Sequence, residues 1–205
     1  RLRIVKDGYG LMQAAFVFFY WLYGNVVTWN LVLLPQYAEN HLSIAVLIVY
    51  FIFSALTICS FWRAFTSSPG VTPDSVFSDS TDDWTFCEAC KKSRPPKAHH
   101  CRRCGQCVPL MDHHCPWINN CVGQGNQWLF LQLIFYAAVI SFLTLTFDLL
   151  FKFYFDECQS CDQASFYHRH QHGLVNVCIV MAALMLISSM GLLCTQHTNI
   201  ILVST

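Results

Sequence analysis

The sequence predicts an all-α membrane protein in which four transmembrane helices carry a cysteine-rich domain between the second and the third helix. Three observations predict this fold class. The 205 residues are 55% hydrophobic and 12% charged, whereas a soluble domain carries about 25% charged residues. Four apolar runs are long enough to cross a bilayer, and seven of the 12 cysteines lie together between the second and third run.

The four runs have the length of membrane-spanning helices. They cover residues 11–34, 42–62, 128–151 and 173–193. About 20 helical residues cross the hydrocarbon core of a bilayer, and a buried helix of a soluble protein is rarely apolar for so long. Polar residues inside the runs, such as Asn25, Asn30 and Asp148, are expected near the interfaces or in hydrogen bonds between helices. The apolar content and the 12 charges of each sign exclude a disordered chain and a basic nucleic-acid binder.

The distribution of Lys and Arg predicts the orientation. The N-terminal tail and residues 63–127 carry ten of the 12 basic residues, and residues 35–41 and 152–172 carry two. Because basic loops stay on the cytosolic side, we expect three parts. Residues 1–62 form a cytosolic tail and two spans, 63–127 form a cytosolic domain, and 128–205 form two spans with a lumenal loop. In that loop, Cys158 and Cys161 are either a local disulfide or free thiols.

The cytosolic segment holds seven Cys and four His between positions 87 and 121. Cytosolic thiols are kept reduced, so this density indicates metal binding or catalysis. A gap of two residues, as in Cys87-x2-Cys90, lets two thiolates bind one tetrahedral ion, and the interleaved histidines favour zinc. An iron–sulfur cluster is the alternative, because Cys-x2-Cys-x2-Cys followed by Cys-Pro is typical of ferredoxins. Here, however, the last gap is seven residues rather than three.

The number of ligands leaves groups to spare. Seven Cys and four His offer eleven ligands, and two closed tetrahedral sites use eight. A spare cysteine beside a spare histidine indicates nucleophilic chemistry, and the candidate segment is Asp112-His113-His114-Cys115. One histidine would polarise the thiol while the carboxylate sets its tautomer, as in a Cys-His-Asp triad. The spacing alone leaves open which four ligands share an ion and which cysteine is spare.

A longer motif of 44 residues surrounds this segment. It reads Cys87-x2-Cys90-x9-His100-Cys101-x2-Cys104-x2-Cys107-x4-Asp112-His113-His114-Cys115-Pro116-Trp117-x2-Asn120-Cys121-Val122-Gly123-x2-Asn126-x3-Phe130. The motif resembles the cysteine-rich domain of the DHHC protein S-acyltransferases, or palmitoyltransferases. The four-span layout agrees with that family, so the resemblance extends over nearly the whole chain.

The resemblance implies two structural zinc ions, a catalytic trio and a set of acyl-CoA contacts. The first zinc takes Cys87, Cys90, His100 and Cys107, and the second takes Cys101, Cys104, His114 and Cys121. The catalytic trio is Cys115 as nucleophile, His113 as its base and Asp112 as the residue that orients His113. The acyl-CoA contacts are Arg94, Lys97, His99, Trp117 and Phe130.

The function implied by the resemblance is transfer of a long-chain acyl group, such as palmitoyl, from acyl-CoA through Cys115 to cysteine thiols of target proteins. The expected partners are palmitoyl-CoA or another long-chain acyl-CoA, cysteine-containing membrane-associated proteins and the lipid bilayer, without nucleic acid. The expected location is the Golgi or endoplasmic reticulum membrane, with the plasma membrane as an alternative.

Two departures from the family pattern bear on whether this chain is active. Ser68-Pro69-Gly70 replaces the usual Asp-Pro-Gly, and the chain ends at Ser204-Thr205, where Thr-Thr-x-Glu would begin. The chain also starts at Arg1 rather than Met, which indicates a fragment or isoform. The alternatives are a non-catalytic membrane zinc-domain adaptor, a truncated inactive isoform, and a membrane-anchored RING-like ubiquitin ligase, whose ligand gaps would be longer.

Overall fold

The computed structural model describes residues 4–72, 84–156, 161 and 164–204. Within these residues, four helices are long and apolar enough to cross a membrane: Gly8–Ala38, Ile44–Thr66, Gln127–Phe153 and Gln171–Gln196. Each coincides with one of the four predicted runs. The predicted fold class, a multi-pass helical membrane protein with a cysteine-rich insertion, is confirmed.

The first span is not a uniform α-helix. Helix α1 (Gly8–Val27) continues through a π-helical turn (Thr28–Leu33) into α2 (Leu34–Ala38). In this turn the Leu34 N–H donates to the carbonyl of Trp29, five residues earlier. Pro35 follows directly, and in a regular α-helix its ring would clash with the carbonyl four residues before it. The wider π turn relieves that clash, a detail that the hydropathy of the run does not show.

The remaining helices are regular. Helix α3 spans Ile44–Thr66, α4 spans Gln127–Phe153, and a short α5 (Phe166–Arg169) precedes α6 (Gln171–Ser204). Residues 66–83, whose Ser, Thr, Asp and Pro content predicts a linker, lie mostly outside the described residues, as do Cys158 and Thr205. Cys161 is disulfide-bonded.

Three antiparallel hairpins lie between α3 and α4. They pair β1 (Thr85–Cys87) with β2 (Lys92–Arg94), β3 (His99–Cys101) with β4 (Gln106–Val108), and β5 (His113–Cys115) with β6 (Asn120–Val122). A 3₁₀ helix, Pro116–Ile118, connects β5 to β6. Strands of three residues cannot bury an apolar core of their own, so these hairpins depend on other constraints for stability.

The chain divides into two compact units. The first contains Arg1–Val17 and Ser60–Gln132, and the second contains Phe18–Cys59 and Leu133–Thr205. Inside the second unit, Leu33, Leu47, Tyr50 and Ile140 form one apolar cluster.

Polar residues of the second unit are paired between helices, as expected from the sequence. The Thr28 hydroxyl donates to Asp148 at 3.0 Å, and the Ser54 hydroxyl donates to the amide oxygen of Asn25. Asn30 differs, since its amide donates to the Val26 carbonyl of its own helix.

Candidate metal centres and catalytic turn

Tight turns bring the cysteine pairs together. Cys87 ends β1 and Cys90 lies in the turn to β2, where Lys91 has a left-handed φ of 52°. Cys101 and Cys104 repeat the arrangement between β3 and β4, and Gly105 closes that turn with a φ of 63°. The Cys104 N–H donates to Cys101 Sγ at 3.4 Å, so the turn itself orients the first thiol.

Strand alternation interleaves the two ligand sets. In β3, His100 lies opposite Cys107 across the hairpin, and directly opposed residues point to the same face. Cys101 is the next residue of β3 and points to the other face. His100 and Cys107 therefore belong to one cluster, and Cys101 belongs to the other.

The structure brings the eight predicted ligands into two groups of four. One contains Cys87, Cys90, His100 and Cys107, and the other contains Cys101, Cys104, His114 and Cys121; within each, the ligand atoms lie within 4.8 Å of one another. The Sγ–Nδ1 distances are 3.2–3.9 Å in the first group. In the second group they are 3.4–3.6 Å.

These distances fit tetrahedral zinc. Bonds of about 2.3 Å to sulfur and about 2.1 Å to nitrogen place tetrahedral S and N ligands about 3.6 Å apart. The donor set of three thiols and one imidazole also fits zinc better than an iron–sulfur cluster, which takes four thiolates. Both groups can therefore hold a zinc ion.

The crowded thiols titrate unequally. Burial, followed by hydrogen bonds and repulsion from Cys87 and Cys90, raises the pKa of Cys107 to about 12. A hydrogen bond with Cys121 lowers the pKa of Cys104 to about 5, although burial opposes this shift. Thiolates this close repel one another, and a dication among them stabilises all three as anions.

The first two catalytic candidates are in contact. His113 Nδ1 and Asp112 Oδ2 are 3.2 Å apart, so Nδ1–H donates to the carboxylate and Nε2 is left as the basic nitrogen. Phe130, which is 3% exposed, packs its ring at 72° to the imidazole with 5.4 Å between centroids. The orientation of the His113 ring is thus restrained by the Asp112 carboxylate and by the Phe130 ring.

Cys115 lies at the start of the 3₁₀ helix as its N-cap. The residue is buried and its thiol is free. Burial raises the pKa of this thiol, and the backbone N–H groups of Ile118 and Trp117 act in the opposite direction. Because burial disfavours the thiolate, a nucleophilic reaction at Cys115 is assisted by a base that removes the thiol proton.

The remaining predicted contacts are spread over the hairpins and the catalytic turn. Trp117 is 49% exposed, Lys97 and His99 are exposed, and Arg94 donates to the Thr85 hydroxyl at 2.7 Å. Phe130 packs against the His113 ring, as described above. For all five residues, a role in acyl-CoA binding stays a prediction.

Two buried asparagines were given no role by the sequence analysis. The Asn120 amide donates to the carbonyls of Ala64 and Ser67 at the end of α3, at 3.0 and 2.7 Å. Asn126 immediately precedes α4; its amide donates to the Cys121 carbonyl at 2.8 Å, and its Oδ1 accepts from the Gly123 N–H at 3.0 Å. An asparagine before a helix is a recognised capping signal, but here Oδ1 accepts from an N–H that precedes Asn126, so that signal would not have predicted the observed role.

The Ser68-Pro69-Gly70 turn packs against the loop before α4. The Gly125 N–H donates to the Pro69 carbonyl at 3.0 Å. A Cβ on Gly125 would lie 2.7 Å from both the Gly70 nitrogen and the Ser68 oxygen. The Pro-Gly turn therefore keeps a docking role although Ser68 replaces the usual aspartate.

Comparisons with known proteins bear on the family of the chain. A family model described as DHHC palmitoyltransferase matches residues 80–205. Palmitoyltransferase ZDHHC21 of Danio rerio is 42% identical over 203 residues, covering 98% of this chain and 77% of the relative. The Homo sapiens ZDHHC21 is 36% identical over the same shares. Palmitoyltransferase ZDHHC3 of Homo sapiens is 32% identical over 163 residues, covering 75% of this chain and 53% of the relative. The resemblance found in the motif is confirmed, and the chain belongs to the DHHC palmitoyltransferase family.

Proposed function

We propose that Cys115 is the residue through which this protein S-palmitoyltransferase transfers its acyl group. One observation carries the proposal. The two ligand groups use six of the seven cysteines between residues 87 and 121, all of which the structure describes, and Cys115 is the seventh. Cys115 shares strand β5 with His113, which Asp112 orients. A free thiol beside an oriented imidazole is the arrangement of cysteine nucleophiles.

We assign one structural zinc to each group of four ligands. When bound, zinc supplies folding free energy to hairpins too small to be stable alone. His114, a ligand of the second zinc, directly precedes Cys115, so the metal also restrains the backbone that carries the nucleophile. Such restraint lowers the entropic cost of reaching the reactive geometry.

The first half of the reaction forms an acyl-enzyme. His113 Nε2 takes the proton of the Cys115 thiol, and the sulfur attacks the thioester carbonyl carbon of a long-chain acyl-CoA. The carbon–sulfur bond to CoA then breaks, and the CoA thiolate takes the proton from His113. Asp112 keeps Nδ1 protonated throughout, which leaves Nε2 free to accept and return the proton.

The second half transfers the acyl group to a target cysteine. The incoming thiol gives its proton to His113, and its sulfur attacks the carbonyl carbon of the Cys115 thioester. The bond to Cys115 breaks, and Cys115 recovers a proton from His113. One thioester replaces another in each half, so positioning and proton transfer account for most of the catalysis.

Basic residues of the hairpins are proposed to bind the CoA phosphates. Between positions 87 and 115 the chain has six Lys and Arg against Glu88 and Asp112. Arg94 and Lys97 belong to this excess, and phosphate groups bind such cations by charge-assisted hydrogen bonds. His99 is proposed to add a ring N–H donor to the same phosphates. Trp117 and Phe130 are proposed to line the path of the acyl chain near the thioester.

The cytosolic side is proposed for the hairpins, with the Golgi or endoplasmic reticulum as the membrane. The excess of Lys and Arg near these residues supports a cytosolic location. The disulfide at Cys161 supports an oxidising compartment for the loop between α4 and α6. Cytosolic hairpins give Cys115 access to acyl-CoA and to reduced target thiols.

The test is labelling of the purified full chain with a palmitoyl-CoA analogue, followed by hydroxylamine, which cleaves thioesters. Wild type is compared with Cys115→Ser and with Cys194→Ser, which removes an exposed free cysteine outside both ligand groups. We expect two zincs per chain in all three proteins, and label in wild type and Cys194→Ser only.

Hydroxylamine-sensitive label that remains in zinc-loaded Cys115→Ser would refute Cys115 as the acyl carrier. A zinc-loaded wild type without label would instead support the non-catalytic adaptor or inactive isoform. A chase of labelled wild type with a cysteine-containing peptide then measures the second half-reaction.

A further inference from the structure

His114 presents its two ring nitrogens to different surroundings. Nδ1 faces the three thiols of its group at 3.4–3.6 Å. Nε2 is buried and has no hydrogen-bond partner among the described residues. The acidic group that faces it is Asp7, whose Oδ2 lies 3.9 Å from Nε2. This contact is longer than a hydrogen bond but joins a carboxylate to a buried N–H.

Asp7 comes from the segment before α1, more than 100 positions from His114 in sequence. Its carboxylate also accepts from Arg103 Nη1 at 3.0 Å, and its side chain is 16% exposed. The Asp7 carboxylate also accepts hydrogen bonds from the backbone N–H groups of Tyr9 and Gly10, so Asp7 is the N-cap of α1 as well. A capping role alone would explain an aspartate here, so any test must separate the cap from the contact with His114.

A second observation ties the same segment to the catalytic turn. The Asn119 amide donates to the Val5 carbonyl at 2.9 Å, and Asn119 is fully buried. A Cβ on Gly10 would overlap the Asn119 side chain. The residues before and at the start of α1 therefore pack closely against the turn that follows Cys115.

We propose that Asp7 is a positioning residue of the second metal centre, which polarises the Nε2–H of His114 and thereby steadies the turn that bears Cys115. The proposal rests on the zinc assignment made above. Histidine ligands of zinc generally donate their second N–H to a carboxylate, which fixes the ring and raises its basicity. In this chain the two neighbouring histidines would then each have a carboxylate, Asp112 for His113 and Asp7 for His114.

The test measures zinc release from the detergent-solubilised full chain to a chromophoric chelator, without acyl-CoA. Asp7→Ser keeps a good N-cap but is too short to reach His114. Asp7→Asn keeps both the cap and an acceptor oxygen. Glu88→Ser is the matched control, because it removes an exposed carboxylate that pairs with Lys91 beside the first centre.

We expect two zincs per chain in each protein and about 10-fold faster release of one of the two in Asp7→Ser, the lower end for loss of an outer-shell partner. Asp7→Asn should release that zinc at an intermediate rate, and Glu88→Ser at the wild-type rate. Release at the wild-type rate from Asp7→Ser, or equal acceleration of both zincs, would overturn the proposal.

A second comparison isolates the ring of His114. His114→Cys replaces the imidazole by a thiolate that has no N–H for Asp7. In the His114→Cys background, Asp7→Ser should not accelerate zinc release further. A full 10-fold acceleration of zinc release in that background would show that Asp7 acts through the fold alone. If His114→Cys fails to bind two zincs, Co²⁺-loaded Asp7→Ser replaces it, with shifted ligand-field bands expected and unchanged bands contradicting the proposal. Since zinc release needs no acyl transfer, failure of Cys115 to carry an acyl group would leave this result standing.

Discussion

Asn120 offers a sharp test of how the hairpin of Cys115, the proposed nucleophile, is supported. It lies opposite Cys115 in the β5–β6 ladder, and it is 1% exposed. Its amide donates to the carbonyls of Ala64 and Ser67 at 3.0 and 2.7 Å. These carbonyls belong to the end of α3, where the last helical turn has no intrahelical donors. One side chain therefore joins the strand pair of Cys115 to a helix end.

The cost of removing this amide follows from the two carbonyls. A buried carbonyl left without a donor costs about 1–3 kcal/mol. The Ser67 hydroxyl lies 3.4 Å from the Ala64 carbonyl and offsets part of that loss. We therefore expect Asn120→Ala to destabilise the fold by about 2–4 kcal/mol. For a chain of 205 residues this lowers Tm by about 5–15 °C.

Two further variants separate the hydrogen bonds from the cavity. Asn120→Asp keeps the volume but replaces the amide donor by a carboxylate, so it should destabilise at least as much as Asn120→Ala. Thr85→Ala is the control, because it removes an exposed side-chain hydrogen bond to Arg94 and should lower Tm by less than about 2 °C.

The assay is a thermal melt of the zinc-loaded chain in detergent, followed by autoacylation at 25 °C. The variants with a lower Tm should also show a lower rate of Cys115 labelling at constant zinc content, because the turn that carries Cys115 is less well ordered. A wild-type Tm for Asn120→Asp would refute the reasoning, since the two carbonyls would then have another donor.

Two other predictions concern packing and substrate. Gly125→Ala should destabilise the fold by about 1–3 kcal/mol in a thermal melt, because the added Cβ would meet backbone atoms of Ser68 and Gly70 at 2.7 Å. Gly8→Ala is the control and should leave Tm unchanged, because a Cβ there meets nothing within 4 Å. Equal Tm values for the two variants would contradict the packing. Replacing Arg94 and Lys97 by Ala should raise the acyl-CoA KM several-fold at unchanged zinc content, and unchanged kinetics would remove their proposed role.

Local spacing made the metal centres predictable. The pairs Cys87–Cys90 and Cys101–Cys104 are each closed by a tight turn, so the geometry follows from residues that are neighbours in the chain. The membrane spans were equally accessible, because twenty apolar residues in succession fit few structures other than a membrane helix. The partition of the ligands came from the family resemblance, and the strand pairing of His100 with Cys107 gives its physical reason.

Contacts between distant segments were not predictable from one sequence. Asp7 reaches His114 and Asn120 reaches Ala64 only because the chain folds back on itself. The neighbours of Asp7 do not mark it as a partner of His114, and the motif that contains Asn120 does not identify the Ala64 carbonyl as its partner. The π turn before Pro35 was also missed, because hydropathy reports that a segment is apolar and says nothing of its hydrogen-bond register.

The order His113-His114-Cys115 explains how the proposed metal ligand His114 and the proposed base His113 can be consecutive residues. Side chains of a strand alternate between its faces, so His114 points to one face with its opposed residue Cys121, another ligand of the same group. His113 and Cys115 share the opposite face, where His113 meets Phe130. A single inserted residue between His114 and Cys115 would move the thiol to the metal face. Such a variant should retain zinc ligands and lose acylation, because the base and the nucleophile would no longer face each other.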